Sequence, residues 1–144
     1  MAPSPVPDQN AMPETKSLTP ATLQINILSF GHKHEPPGKT DLLFDVRFLP
    51  NPYYVPELKE KTGLDEAVAA HALHHENGNQ FLAHLFALLD FLLPEFARSG
   101  RDNLTIAVGC TGGQHRSVAV AEEIYRHLAK GKWPVQVAHR DIYR

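Results

Sequence analysis

With 144 residues, 42% hydrophobic and 21% charged, the chain has the size and make-up of one globular domain, so a second full domain is not expected. A formal net charge of −2 excludes a surface that is polycationic all round, yet residues 101–144 hold seven Lys+Arg against four Asp+Glu, so an anion site is expected in that last third. The most apolar stretch, residues 81–97, is interrupted by His84, Asp90, Pro94 and Glu95, and the start lacks a leader pattern; with the single Cys110, this predicts no membrane span and a reducing, cytoplasmic compartment.

Residues 1–20 carry Pro3, Pro5, Pro7, Pro13 and Pro20 and few large apolar side chains, the composition of a floppy tail; the folded domain is expected over residues 21–144. TLQINILSF alternates Leu23, Ile25 and Ile27 with polar partners, as a strand entering a core does, and GHKHEPPGK is a loop. DLLFDVRFL reads as a second, largely buried strand, after which Pro50, Pro52 and Pro56 forbid regular structure until about Thr62.

Thr62 is the expected cap of a helix through DEAVAAHALHH, with Asn77-Gly78 ending it. Residues 80–98 repeat apolar side chains at three- and four-residue steps and form a second helix closed by Ser99-Gly100. A third strand (104–108), a third helix (117–130, stopped by Gly131) and a last strand (133–138) complete the series. Strands alternating with helices of this length predict an α/β fold with a mainly parallel sheet and flanking helices, whose ligands collect at the carboxyl ends of the strands.

The densest chemistry, VGCTGGQHRSV, falls where the third strand ends and the third helix starts. Thr111, Gly112 and Gly113 lack bulk, so the backbone there can turn its N–H groups toward an anion. The helix start adds unpaired N–H groups and a positive dipole end, while His115, Arg116 and Ser117 supply further donors. The bland alternative is a tight turn whose glycines merely allow close packing. Asp45 and Arg47 share one face at the end of the second strand; a surface ion pair is the plain reading, but that strand end abuts the same crevice.

Three other patterns in the chain bear on chemistry. Cys110 and Arg116, with five residues between them and followed by Ser117, have the spacing of the cysteine-dependent phosphatase loop, and Cys110 would be the nucleophile of that alternative. Gly109 stands where that family has a histidine, and no acid loop is evident, which leaves Asp102 and Asp141 as the conceivable acids. EPPGKT has the ending of a phosphate-binding P-loop, but Lys33 replaces the first glycine, Pro36 and Pro37 have no N–H to offer, and a strand follows, so no ATPase activity is expected. His71 and His75 lie a helical turn apart without a complete ligand set; a solvated helix face is the reading, with no metal and no cofactor expected.

FDVRFLPNP (44–52), TGLD (62–65), VGCTGGQHRSV (108–118) and His139-Arg140, in this order and spacing, resemble the C-terminal domain of the RNase adapter protein RapZ family, over roughly Ile25 to the end. The resemblance implies a fold similar to a phosphofructokinase subdomain, binding of small regulatory RNAs, their presentation to an endoribonuclease, and sensing of glucosamine-6-phosphate, an amino-sugar phosphate, in the glycine-loop pocket. Full-length members also carry an N-terminal P-loop kinase-like domain that binds nucleotide, for which these residues have no counterpart; a separate kinase-like partner and an oligomer are therefore open expectations.

Residue by residue, the resemblance implies a pocket lined by Asp45, Arg47, Asn51, Thr111, Gly112, Gly113, His115, Arg116 and Ser117, with Lys33, His139 and Arg140 contacting RNA. The chain departs from the family pattern at Gln114, where the family has lysine, in the HEPPGKT insertion, and in a tail reduced to Asp141-Ile142-Tyr143-Arg144. Fewer cations imply fewer phosphate contacts, hence weaker RNA binding with a shallower salt dependence.

Overall fold

Ile25 and Ile27 alternate with Asn26 and Leu28 because the strand that holds them has one face in the core and the other nearer water. The computed structural model describes residues 22–144, and the expected tail over residues 1–20 lies outside the described residues. In chain order the elements are β1 (Gln24–Gly31), β2 (Leu42–Asp45), a 3-10 turn (Pro52–Tyr54), α1 (Glu66–Leu73), α2 (Glu76–Arg98), β3 (Asn103–Cys110), α3 (Arg116–Ala129) and β4 (Val135–His139).

The four strands form one sheet in the order β2-β3-β1-β4, and every pairing is parallel, which makes this an α/β fold as expected. Ile25, Ile27, Leu104, Ile106 and Val108 share a core with Leu73 of α1, Leu85, Leu89 and Leu93 of α2, and Ile124 and Leu128 of α3. The opposite face of the sheet carries a polar ladder: Gln136 donates to Asn26 (2.8 Å) and Asn26 to Asn103 (3.3 Å). Register pairs Gly31 with Cys110, Asp45 with Gly109 and Ser29 with His139, so all four strands finish at the same end.

Several element boundaries differ from expectation. The second strand is not a buried run to Leu49 but a four-residue, half-buried edge strand. It stops because Asp45 Oδ1 accepts the Arg47 N–H (3.0 Å) and the chain turns, with the Leu49 N–H donating to the Val46 carbonyl. The prolines leave one short regular piece, the 3-10 turn, capped by Asn51, whose Oδ1 accepts the Tyr53 N–H (3.1 Å).

Asp65, rather than Thr62, caps α1 by accepting the Ala67 N–H, while Thr62 supports the turn before it. Asn77-Gly78 does not end that helix; it lies in the first turn of α2. A side chain at Gly78 would sit 2.1 Å from the Leu73 carbonyl oxygen, so this glycine lets α2 start pressed against the end of α1. His71 and His75 are consequently on different helices: His75 Nδ1 accepts the Gly78 N–H and caps α2.

At 23 residues α2 is long and apolar enough, by length and composition, to cross a membrane, which corrects the exclusion drawn from its interruptions. Here it packs as an amphipathic helix, with Leu85, Leu89 and Leu93 in the core beneath the sheet. Gly100, with φ of +92°, terminates it.

Candidate phosphate-binding site

At the carboxyl end of the sheet, the chain between β3 and α3 is held from behind by backbone. Its anchors are the His32 N–H donating to the Cys110 carbonyl (2.7 Å), the Lys33 N–H to that of Thr111 (3.1 Å) and the Gly63 N–H to that of Gln114 (2.8 Å). Gly113 takes φ of +83°, and a side chain on it would lie 2.6 Å from the Gly31 nitrogen; one on Gly31 would lie 2.4 Å from the Gly112 carbonyl carbon. The two glycines let the end of β1 and the loop touch backbone to backbone, a contact that any Cβ would separate.

This anchoring uses the loop's carbonyls and leaves its donors. Among the described residues, no acceptor takes the N–H groups of residues 111–117, and the cap residue of α3, His115, makes no side-chain capping bond. Part of that set is the ordinary orphan N–H row of a helix start, and the preceding loop extends it.

Arg116 stands at the centre. It is only 5% exposed; its Nη1 donates to the carbonyls of Arg47 (2.8 Å) and Leu49 (3.2 Å), and its Nη2 to Thr111 Oγ1 (3.2 Å). Its Nε is buried with no acceptor, and no carboxylate among the described residues pairs with it. Neutral carbonyls orient a guanidinium but carry no charge to balance it, so this buried cation has no counter-ion among the described residues.

A cleft of ≈ 210 Å³ opens here, and its lining includes Lys33, Asn51, Cys110, Thr111, His115 and Arg116. Gly112 also faces it, beneath the Lys33 side chain. The His115 Nε2 donates to the Lys59 carbonyl (3.1 Å), which fixes the proton on that nitrogen and holds the ring in the wall. Gly113 lies behind the loop against Gly31 and Asp141, and Ser117 is fully buried, its hydroxyl accepting from the Cys110 thiol (3.1 Å).

Asp45 and Arg47 form a close pair outside the lining, with Nη2 to Oδ2 at 2.6 Å. The Arg47 guanidinium holds the Asp45 carboxyl down at about 2, and Asp45 in turn raises Arg47. Burial and the Arg47 charge lower His32 beside them, more than Asp45 raises it.

Lys33, expected on an RNA surface, thus shares the cleft with the glycine loop. His139 and Arg140 are placed elsewhere. His139 bridges Ser29 (2.6 Å) and Glu122 (2.7 Å), and Arg140 spans Asp141 and the carbonyls of Glu35 and Pro36. Both are engaged in tying the chain's last residues to the sheet and the first loop.

Sequence reasoning missed three contributors. Tyr53 and Tyr54 form one wall of the cleft; two adjacent aromatics in a proline-rich loop, with no strand or helix face to bury them, were the available signal. Asp141, fully buried, accepts the Gly31 N–H (2.8 Å) and pairs with Arg140 and Arg144, bracing the glycine contact from below. Burial works to raise its carboxyl, but Arg140, the Gly31 amide and Arg144 outweigh that and hold it at about 2. No pattern in the sequence marks it.

Comparison with known proteins places these features in context. Residues 23–143 match the family model described as RapZ C-terminal domain. Similar proteins include a nucleotide-binding protein of Nitratidesulfovibrio vulgaris, 53% identical over 121 residues, which covers 84% of this chain and 41% of the relative. Another, from Bacillus cytotoxicus, is 49% identical over 124 residues, covering 86% and 42% respectively. The chain therefore spans about two fifths of the length of the curated relatives it matches.

Proposed function

The chain belongs to the RapZ C-terminal domain family, and from that premise we propose that it is a non-catalytic domain that holds a phosphorylated ligand at the 111–117 loop. The observation that carries this reading is the buried Arg116 guanidinium, without a carboxylate partner among the described residues, beside a row of backbone N–H groups without acceptors. A phosphate dianion would balance the charge and accept from the amides, while Lys33 closes over it from the mouth of the cleft. Asp45 would orient Arg47 at the rim, and Asn51 would donate to a ligand hydroxyl.

The ligands that fit this reading are an amino-sugar phosphate of the glucosamine-6-phosphate kind and the backbone of a small RNA. Delivery of that RNA to an endoribonuclease, together with a kinase-like partner, belongs to the same proposal, as does a cytoplasmic location. The relatives are named as nucleotide-binding proteins, a binding name rather than that of a catalyst, which is in keeping with a domain that does no chemistry.

Cysteine-dependent phosphatase chemistry is the alternative, since Cys110 lines the cleft next to Arg116. Against it, the thiol is 2% exposed and donates to the Ser117 hydroxyl, so its sulfur is directed into the core side of the loop.

A thermal-shift titration separates these readings. Glucosamine-6-phosphate at a hundred times its dissociation constant should add about 2.7 kcal/mol of stability, and unphosphorylated glucosamine none. p-Nitrophenyl phosphate should remain unhydrolysed. Failure of all phosphorylated ligands to raise the melting temperature overturns the proposal, and turnover abolished by Cys110→Ser would establish the alternative.

A further inference from the structure

Two aromatic rings in the lining of the cleft lie largely outside the core. Tyr53 and Tyr54 are 49% and 79% exposed, with ring centroids 5.6 Å apart and planes nearly perpendicular. Their position is nevertheless fixed: the Asn51 cap and Pro52 hold the 3-10 turn, and the Tyr54 N–H donates to the Asn51 carbonyl (3.2 Å). Lys59 places its Nζ 4.6 Å from the centre of the Tyr53 ring, so a cation already lies against one aromatic face. Single exposed apolar residues need no explanation, but here two rings stand side by side in the lining of a cleft that also holds the Lys33 and Arg116 cations.

The lining residues include two cations, backbone and side-chain amides, hydroxyls and aromatic faces, and no carboxylate. Such a set recognises a phosphate joined to a flat, neutral ring. Base-to-aromatic stacking supplies that second contact, and a cation beside the ring serves the neighbouring phosphate. In a duplex the face of each base is covered by its neighbours, so a base that stacks on a tyrosine must be unpaired. Resting on the function proposed above, we infer that the cleft takes an unpaired nucleotide, its phosphate on the 111–117 loop and its base stacked on the exposed Tyr54 ring, with the perpendicular Tyr53 ring against the edge of the base. The nucleotide can be free or part of a single strand; the chemistry recognised is the same.

The test compares the parent chain with Tyr53→Ala/Tyr54→Ala and with Tyr53→Phe/Tyr54→Phe, by fluorescence anisotropy of a labelled single-stranded RNA octamer. The alanine variant should bind about ten-fold or more weakly and the phenylalanine variant within about two-fold of the parent, since stacking needs the ring and not the hydroxyl. An abasic octamer and a duplex of the same sequence should bind the parent about ten-fold or more weakly than the intact single strand. Competition by uridine or adenosine monophosphate at concentrations near those of the octamer would make the free nucleotide the occupant; competition by unlabelled octamer alone would make it the strand, and either result upholds the stacking.

Equal affinity of the alanine variant and the parent, equal affinity for the abasic strand, or no binding of octamer and mononucleotide overturns the inference. If glucosamine-6-phosphate still stabilises the chain in that case, the phosphate reading survives alone.

Discussion

Arg116→Ala should abolish phosphate binding and weaken the fold together. Removing one partner of a buried charge pair costs roughly 2–5 kcal/mol, so affinity for glucosamine-6-phosphate should fall about a hundred-fold or more in calorimetric titration. The same substitution strips donors from the carbonyls of Arg47 and Leu49 and from Thr111 Oγ1. A buried acceptor left unpaired costs about 1–3 kcal/mol, so urea titration should show a loss of about 2–4 kcal/mol.

Arg116→Lys distinguishes the two effects. It keeps the charge but cannot fork to two carbonyls and a hydroxyl at once, so binding should be retained in part while stability still drops. An alanine variant that folds and binds phosphate like the parent would remove Arg116 from the site.

Asp141→Asn should destabilise by about 3 kcal/mol at neutral pH, because it leaves Arg140 and Arg144 facing a neutral amide at a fully buried position. The effect has a pH signature. The carboxyl is held at about 2 in the folded chain against an ordinary 3.8, so its contribution is complete above pH 3.8 and is lost as pH falls toward 2. The stability gap between parent and variant, followed by urea titration from pH 7 downward, should therefore stay constant to about pH 4 and then shrink by about 2 kcal/mol. A gap that does not depend on pH would show that the carboxylate charge is not what braces Gly31. Because Asp141 backs Gly113, phosphate affinity should fall as well.

How much of this was legible depends on whether the cause was local. β1 and β3 announce themselves through Ile25, Ile27, Ile106 and Val108, whose alternation or apolar runs follow directly from packing on one sheet face. The 111–117 loop was legible because glycines and donors coincide at a strand end, and the structure adds the buried, unpaired Arg116 Nε. Gly78 misled because glycine commonly ends a helix, whereas here its missing side chain makes room for the Leu73 carbonyl, a contact set by tertiary packing. The second strand looked longer than it is because Phe44, Val46 and Leu49 are all apolar, yet only Phe44 reaches the core from the strand, while Val46 and Leu49 reach it from the turn that follows Asp45. Asp141 was illegible for a related reason: its partner Gly31, far away in the chain, meets it only through the parallel register of β1 and β4.

The most direct test follows the backbone N–H signals of 15N-labelled protein while glucosamine-6-phosphate is added. Saturable shifts of the amides of Thr111, Gly112, Gly113 and the first turn of α3, together with the Arg116 Nε–H signal, are the expected result. Saturable shifts confined to another surface, or none up to millimolar ligand, would contradict a phosphate held at this loop.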